Sequence, residues 1–285
     1  MTDPVPRVSI VIPAYNNADY LQETIDSVLA QTYTDFEVVV SDHSSTDGTA
    51  EVMRRYESDP RFTLLTTEAG GGALRNWNRV SQAARGTYLK LVCGDDLLYP
   101  EILRLQVEAL DANPDATIAA SPRDIVDANS RPVIKDRGLG GKVGTHPGAE
   151  IVRASVRAGT NLFGEPGCVL MRRADLEAEG WWDSRWPYLI DQSTSSRVAL
   201  RGAFVGVGTT ALAGFRISDS QWSVRLAKQQ SEAAAGFHRW MHETHPDVVS
   251  RADVLVGNAR ARAMAAARRL AYIYLKQRMS RGAAA

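Results

Sequence analysis

The chain has 285 residues, 44% of them hydrophobic, and its 33 Lys and Arg residues balance its 33 Asp and Glu residues. This length allows one large domain, or one domain with a smaller appendage, and the apolar fraction suffices for a buried core. A zero net charge argues against a general nucleic-acid binder, which normally carries a basic excess. Two scattered cysteines, Cys93 and Cys168, favour a reduced cytoplasmic setting. Neither a signal peptide nor a membrane span is predicted, because no apolar run is long enough.

Strand and helix patterns alternate along the first 121 residues. Apolar, β-branched runs predict strands at 8–12, 36–42, 61–67, 87–92 and 116–121. Apolar residues at helical spacing predict helices at 18–31, 44–58, 70–86 and 99–114. We expect Pro13 to end the first strand, and Asp19 with Gln22 to form a capping box on the first helix. Continuous apolar strands between helices predict a parallel sheet with both faces covered.

The pattern changes after residue 121. Residues 121–166 are rich in Gly, Pro and charge with weak periodicity, which predicts a long excursion or a flexible loop. Strands are expected again at 168–171 and 203–207, and helices at 172–180 and 191–202. From about residue 220 the chain is Ala-, Arg- and Gln-rich and reads as helical, with its histidines, His238, His242 and His245, on the surface. This division predicts two units, 1–217 and 218–285.

Polar residues follow the strands, at the edge of a parallel sheet where ligands bind. They are Tyr15 after the first strand, Asp42 after the second, and the adjacent Asp95 and Asp96 after the fourth. Two neighbouring carboxylates at a buried strand end need a counter-charge. A dinucleotide fingerprint is excluded because "PAYNNAD" has no glycine, and a P-loop because Val143 follows the lysine of "GLGGKVG". The remaining mode of phosphate binding uses a divalent cation, Mg²⁺ or Mn²⁺, which bridges carboxylates to a diphosphate.

Five segments, in order, carry a resemblance to a known family. "VSIVIPAYNN", "VVVSDHSSTDGT", "GGALRNWNRVSQAARGTYLKLVCGDD", "GEPGCVLMRR" and "GWWDSRWPYLIDQSTSSRVALRG" resemble the family-2 glycosyltransferases, over roughly residues 6–217. The resemblance implies an α/β fold of GT-A type, with a Rossmann-like, mostly parallel sheet flanked by helices and a helical C-terminal extension. It also implies a nucleotide-diphosphate-sugar donor, a DxD metal motif and inversion at the anomeric carbon.

For the donor nucleoside, the resemblance implies binding by Pro13, Ala14 and Tyr15, as the loop around the base. Asp42 corresponds to the acid that reads the base and ribose. A carboxylate there can accept from the ring N–H of uracil or thymine, which favours a UDP- or dTDP-sugar. Arg75, in "ALRN", resembles the family's arginine beside the nucleotide.

For the reaction itself, the resemblance implies four acidic residues. Asp95 falls at the second acid of the DxD motif and is expected to bind the metal. Asp96 corresponds to a further acid near the sugar, and Glu165 to a residue that lines the donor and acceptor cleft. Asp191, in "YLIDQS", falls where the family keeps its catalytic base. The resemblance thus implies a metal-dependent inverting transfer to an acceptor hydroxyl on a glycan, a lipid-linked glycan or a small molecule.

Two positions depart from the family pattern and keep a second interpretation open. Cys93 replaces the first acid of the DxD motif, and a thiol is a poor ligand for Mg²⁺. Ser218 stands where the family often has a histidine. The alternative is therefore a sugar-nucleotide-binding module without transfer activity. A nucleotidyltransferase is disfavoured, because the first loop lacks the Gly- and Lys/Arg-rich sequence that such enzymes usually carry.

The C-terminal tail is basic. From Arg251 it carries eight Arg or Lys residues against one acid, Asp253, interleaved with apolar residues. The favoured interpretation is a solvated helix packed on the catalytic domain; the alternative is a helix that contacts a membrane surface or a partner. The predicted location is the cytoplasm, with peripheral contact at the inner face of the membrane under the second interpretation. No nucleic-acid partner is expected, and the sequence leaves the oligomeric state open, a homo-oligomer included.

Overall fold

A computed structural model describes residues 5–217 and 230–282, with side chains described as far as residue 266. Its strands are β1 (Val8–Ala14), β2 (Phe36–Asp42), β3 (Phe62–Thr66), β4 (Tyr88–Leu91), β5 (Leu97–Leu98), β6 (Ala116–Ala120), β7 (Arg123–Val126), β8 (Pro132–Arg137), β9 (Gly144–Pro147), β10 (Val169–Arg172), β11 (Ala203–Gly206) and β12 (Ala213–Arg216). Its α-helices are α1 (Leu21–Leu29), α2 (Thr49–Arg54), α3 (Gly72–Ala83), α4 (Ile102–Ala112), α5 (Gly148–Ala158), α6 (Arg173–Ala178), α7 (Ile190–Ala199), α8 (Gln230–Thr244) and α9 (Arg251–Gly282). Short 3-10 turns lie at Leu139–Gly141, Pro166–Cys168 and Pro187–Leu189.

An eight-stranded sheet in the order β3-β2-β1-β4-β10-β6-β11-β9 forms the centre of the fold. Its pairs are parallel except those made by β10 and β9, which run antiparallel to their neighbours. Every residue of β1, β2, β4 and β6 is buried, as expected for strands covered on both faces. The predicted α/β class with a mostly parallel sheet is confirmed.

A second, four-stranded sheet in the order β5-β12-β7-β8 corrects the prediction for residues 121–166. That segment contains β7, β8, β9 and α5, so it is not a long flexible loop. The sequence signal is weak because β7 has four residues and β8 is exposed along most of its length. An exposed edge strand needs no apolar alternation, and it tolerates Pro132 at its first position.

Two local predictions about the first β–α unit are wrong. β1 continues through Pro13 to Ala14, because Pro13 is paired only with β2 and the β4 pairing ends at Val11. Asp19 and Gln22 form no capping box: the Asn17 carbonyl accepts from the backbone N–H groups of Tyr20 and Leu21, at 2.9 and 2.8 Å. A backbone acceptor from the preceding turn therefore satisfies the first amides of α1 in place of a side chain.

The C-terminal helices pack on the sheet domain through α5. The buried Asp253 carboxylate accepts from the Arg153 guanidinium at 3.0 Å and also pairs with Arg157, and both arginines lie on α5. His238 on α8 is only 1% exposed, which corrects its predicted surface position; one ring nitrogen is 2.8 Å from the Asn258 side-chain oxygen. Burial lowers the pKa of His238. Within the described ranges, no helix has the length and apolar character needed to cross a bilayer. Ser218 and the rest of 218–229 lie outside the described residues.

Gly148 is expected to be irreplaceable at the start of α5. A Cβ at this position would lie 1.7 Å from the Ala199 carbonyl oxygen, and the Gly148 N–H donates to the Gly202 carbonyl at 3.0 Å. We expect Gly148→Ala to lower the free energy of unfolding by at least about 2 kcal/mol, since neither backbone can move independently. The melting temperature should then fall by about 4–8 °C. Gly48→Ala is the control: its Cβ would meet only the Ala18 methyl, at 3.6 Å, and it should leave the melting temperature within about 2 °C.

Candidate active site

The first part of the site lies at the carboxyl ends of β1 and β2. The register pairs Ala14 with Asp42, so these strand ends are adjacent. Pro13 and Ala14 are the last two buried residues of β1, so they belong to the strand and not to the expected loop. Tyr15 follows them with 56% exposure, and its ring meets the His43 ring edge-on at 5.9 Å. This edge offers an exposed aromatic face beside a strand-end carboxylate.

Asp42 and Arg75 flank the same edge. The Asp42 side chain is nearly buried and accepts a weak hydrogen bond from the Ser45 backbone N–H at 3.3 Å. The His43 ring lies 2.9 Å from the Gly70 carbonyl, which draws the turn before α3 toward this edge. Arg75, in the first turn of α3, is exposed and pairs with Glu68 at 2.8 Å. Its guanidinium also donates to the Ala69 carbonyl at 3.2 Å, so it is held on the surface by the segment that precedes α3.

The Asp95–Asp96 turn connects β4 to β5 and is held by Arg216. The Arg216 guanidinium is fully buried; its Nε donates to the Asp95 carbonyl at 2.8 Å and a terminal nitrogen donates to Glu23 on α1 at 2.7 Å. The Arg216 backbone N–H donates to the Asp96 carboxylate at 3.1 Å. Burial and the neighbouring Asp95 charge raise the pKa of Asp96 well above its usual range. Asp96 is thus a buried part of the turn, and Asp95 is the half-buried acid beside it.

Three of the predicted acids line one cleft of about 520 Å³: Asp95, Glu165 and Asp191. Cys93 lines it as well. Glu165 accepts from the Arg123 guanidinium at 2.9 Å, and Arg123 is itself almost fully buried. The structure therefore brings together residues that lie nearly a hundred positions apart in sequence.

Asp191 occupies the first turn of α7, directly after the 3-10 turn Pro187–Leu189. One carboxylate oxygen accepts from the Asn161 amide at 2.8 Å, which fixes its orientation. Burial raises the pKa of Asp191 to about 6, and the nearby Glu165 charge contributes in the same direction. A carboxylate with that pKa is ionised at neutral pH and is more basic than an ordinary aspartate, which suits a general base.

The sequence matches the model of Glycosyl transferase family 2 over residues 9–180, more than half of the chain. The chain belongs to this family. Among curated relatives, the putative teichuronic acid biosynthesis glycosyltransferase TuaG of Bacillus subtilis is 35% identical over 109 residues, which are 38% of this chain and 43% of TuaG. The uncharacterized protein y4gI of Sinorhizobium fredii is 40% identical over 130 residues, 44% of this chain but 14% of y4gI. The chain thus spans less than half the length of both relatives.

Solved structures share the fold at low sequence identity. Staphylococcus aureus TarS in complex with UDP-GlcNAc superimposes with a TM-score of 0.66 at 19% identity, covering 83% of this chain and 66% of that one. The mannosyltransferase PcManGT from Pyrobaculum calidifontis, in complex with GDP-Man and Mn²⁺, gives 0.62 at 20% identity, covering 98% and 81%. These likenesses confirm the GT-A type of fold that the family-2 resemblance implied.

The cleft of this family-2 member fits a divalent cation that is shared with a ligand. Among the described residues, no three His, Cys, Asp or Glu side chains enclose a metal by themselves. Mg²⁺ in nucleotide sites is commonly held by one or two carboxylates together with phosphate oxygens, and Asp95 is a carboxylate of this kind on the cleft. Burial and the surrounding acids raise the pKa of Cys93 well above its ordinary value, so it stays a neutral thiol. The same negative field favours a cation beside Asp95.

Sequence reasoning missed four residues that shape the site: Lys90, Arg123, Asn161 and Arg216. Lys90 had a signal, a lone lysine inside the apolar run "TYLKLV". Its ammonium is fully buried, donates to the carbonyls of Gly167 at 2.9 Å and Val169 at 3.0 Å, and has a pKa that burial lowers to about 7. It thereby fixes the turn that follows Glu165. The other three lie in segments without a pattern that distinguishes them.

Removal of the Arg216 guanidinium is expected to destabilise the whole Asp95–Asp96 turn. It would leave the Asp95 carbonyl and several other acceptors unpaired, and hydrogen bonds to charged groups contribute about 1.5–3 kcal/mol each. We expect Arg216→Met to lower the free energy of unfolding in urea by at least about 2 kcal/mol. Arg201→Met is the matched control, since Arg201 is 38% exposed and its partners, Asp175 and Glu179, can be solvated in its absence; it should cost less than about 1 kcal/mol. Equal losses in the two variants would contradict the assignment.

Proposed function

We propose that the chain is a metal-dependent, inverting glycosyltransferase that moves a sugar from a nucleotide-diphosphate donor to an acceptor hydroxyl. The observation that carries the proposal is the shared cleft: the candidate metal ligand Asp95 and the candidate base Asp191 line the same 520 Å³ space. A transferase needs both groups on one reacting centre, whereas a simple nucleotide binder needs no base. Family membership supports the same activity.

The nucleoside is assigned to the edge formed by Pro13, Ala14, Tyr15 and Asp42. The exposed Tyr15 ring offers a surface for a base, and the Asp42 carboxylate can accept from the ring N–H of uracil or thymine. A UDP- or dTDP-sugar is therefore the proposed donor. Arg75 is proposed to exchange its surface partner Glu68 for the nucleotide and to offset the nucleotide's negative charge.

The proposed transfer proceeds in a single displacement. The acceptor oxygen forms the new bond to the anomeric carbon from one face, while the bond to the diphosphate oxygen breaks on the other and that oxygen keeps the electron pair. The acceptor proton passes to the Asp191 carboxylate, which Asn161 holds in place. Glu165, fixed by Arg123, lines the same space, and Asp96 supports Asp95 from within the turn. When bound at Asp95, Mg²⁺ or Mn²⁺ would stabilise negative charge on the departing diphosphate.

A panel of nucleotide sugars tests this proposal directly. UDP-, dTDP- and GDP-sugars should be compared by thermal shift with Mn²⁺ and with a chelator, and we expect a uridine or thymidine donor to raise the melting temperature only with metal. Slow hydrolysis of that donor without acceptor should follow, and NMR of a transferred product should show the inverted anomer. Binding without hydrolysis or transfer would instead favour the alternative, a non-catalytic sugar-nucleotide-binding module, which the thiol of Cys93 in the metal motif keeps open.

The proposed acceptor is a hydroxyl on a glycan, a lipid-linked glycan or a small molecule. Contact of the basic C-terminal helix with a membrane stays a prediction, because only its side chains up to residue 266 are described, and that part packs on α5. A homo-oligomer and a cytoplasmic or peripheral membrane location also stay predictions. Sedimentation of the intact protein with anionic vesicles but not with neutral ones would support the membrane contact, and no sedimentation with either would contradict it.

A further inference from the structure

The C-terminal helices contribute a wall to the cleft that contains Asp191. Ala234 and His238 on α8, and Ala261 on α9, line this space together with the candidate base. All three lie outside residues 9–180, the part of the chain that matches the family model. The wall therefore comes from the part of the chain that follows the family match, as Asp191 itself does.

An aromatic cluster fixes α8 against the turn that precedes Asp191. The Trp186 ring meets the Phe237 ring edge-on at 5.5 Å and the Trp240 ring at 5.3 Å. The Arg185 guanidinium lies over both indoles, 5.3 Å from Trp186 and 5.1 Å from Trp240. Gly236 admits this contact, because a Cβ there would lie 2.7 Å from the Trp186 indole nitrogen. Helix α8 and the segment leading to Asp191 are thus held together as one rigid surface.

The second helix is held equally closely. A Cβ on Gly257 of α9 would lie 2.2 Å from the Val156 carbonyl, and one on Gly159 would lie 2.5 Å from the Ala261 backbone nitrogen. Such backbone contact between α5 and α9, together with the buried Asp253, leaves the helix little freedom to move away from the cleft. The wall formed by Ala234, His238 and Ala261 is therefore preformed.

The wall that the small sheet contributes to the cleft is mostly apolar. Ile125 on β7, Ile134 on β8, and Phe215 with Ile217 at the end of β12 line it, and Ile134 is 44% exposed. Tyr188, just before Asp191, adds an aromatic ring. By contrast Tyr15, Asp42 and Arg75 do not line this cleft, so the apolar walls lie beyond the proposed nucleoside end.

We propose that α8 and the small sheet together form the acceptor site, and that it takes a hydroxyl acceptor with an extended apolar face, of the aryl- or alkyl-glycoside class. The inference rests on the proposed function, since the acceptor must lie at the base that removes its proton. Apolar groups on such a molecule would bury against Ile125, Ile134 and Ala234, at about 25 cal/mol for each Å² removed from water. An anionic acceptor is disfavoured, because three acids line the cleft, Asp95, Glu165 and Asp191, against two arginines, and one of these, Arg123, already pairs with Glu165. The other arginine is Arg137.

Paired glycosides provide the test. The 4-nitrophenyl glycosides of glucose, galactose and N-acetylglucosamine should be titrated by calorimetry against their methyl counterparts, in the full-length protein with UDP and Mn²⁺ present. We expect at least one nitrophenyl glycoside to bind ten-fold or more tightly than its methyl partner. Ala234→Phe, which fills the cleft from α8, should weaken that binding at least ten-fold. Glu232→Phe adds the same ring at an exposed position of the same helix and should change nothing.

Ile134→Ser keeps the test decisive if Ala234→Phe does not fold. Ile134 is on an exposed edge strand, so the substitution should leave the fold intact while it removes the opposite apolar wall. It should weaken the nitrophenyl glycoside and leave UDP affinity unchanged. Equal binding of nitrophenyl and methyl glycosides, or unchanged affinity in Ile134→Ser, would overturn the acceptor assignment alone. Failure of the wild-type protein to bind either UDP or dTDP with Mn²⁺ would instead overturn the proposed function.

Discussion

Asp191→Asn should lower the turnover of sugar transfer by about 10²–10⁴-fold, the usual contribution of a general base. The amide keeps the size of the side chain and can still meet Asn161, but it cannot take a proton from the acceptor. In the proposed mechanism Asp191 meets the acceptor and not the nucleotide, so affinity for the donor with Mn²⁺ should change less than about two-fold. Initial rates and calorimetric titration of the same preparation measure both quantities.

The pH dependence of transfer distinguishes a base from a structural residue. Burial raises the pKa of Asp191 to about 6, and the carboxylate form is the active one. Turnover of the wild-type enzyme should therefore fall about ten-fold for each pH unit below pH 6. In Asp191→Asn the remaining turnover should not show this fall. Asp115→Asn is the control, because Asp115 is an exposed acid that precedes β6, and it should keep both the rate and its fall below pH 6. Near-normal turnover in Asp191→Asn would remove it from the mechanism.

The central sheet could be predicted because its strands are buried on both faces. The runs at β1, β2, β4 and β6 are apolar almost throughout, and helices with a regular apolar stripe separate them. The small sheet could not, since β5 has two residues and β8 faces solvent. Its strands are stabilised by pairing with one another, and the local amino-acid composition does not predict that pairing.

The candidate site shows the same division. Asp42 and Asp95 could be located because both end apolar strands, where parallel sheets gather their polar residues. Asp191 and Glu165 were found only through the family resemblance, since neither follows a strand. The support that Arg216 gives to Asp95 could not be predicted, because its partner Glu23 lies 193 positions away in the chain. Neither residue type nor spacing indicates a contact of that separation.

Asp95→Asn should abolish the dependence of nucleotide binding on metal. The amide preserves the shape of the turn, and the backbone carbonyl of residue 95 can still accept from Arg216. What is lost is the negative charge that would hold Mg²⁺ or Mn²⁺ against the diphosphate. Metal ions commonly contribute several kcal/mol of charge stabilisation, so turnover should fall by about 10²–10³-fold. Affinity for UDP with Mn²⁺ should drop to the value that the wild-type protein shows with a chelator.

Asp115→Asn is the matched control for this charge. Asp115 is an exposed acid that precedes β6, at the opposite edge of the parallel sheet, and its loss changes the net charge equally. UDP should be titrated with Mn²⁺ and with a chelator. In Asp115→Asn the two affinities should differ as they do in the wild-type protein, whereas in Asp95→Asn they should be equal. If Mn²⁺ still strengthened UDP binding in Asp95→Asn, the cation would have to bind elsewhere. Of the two acids in the turn only Asp95 lines the cleft, so Asp96 could not take over its role.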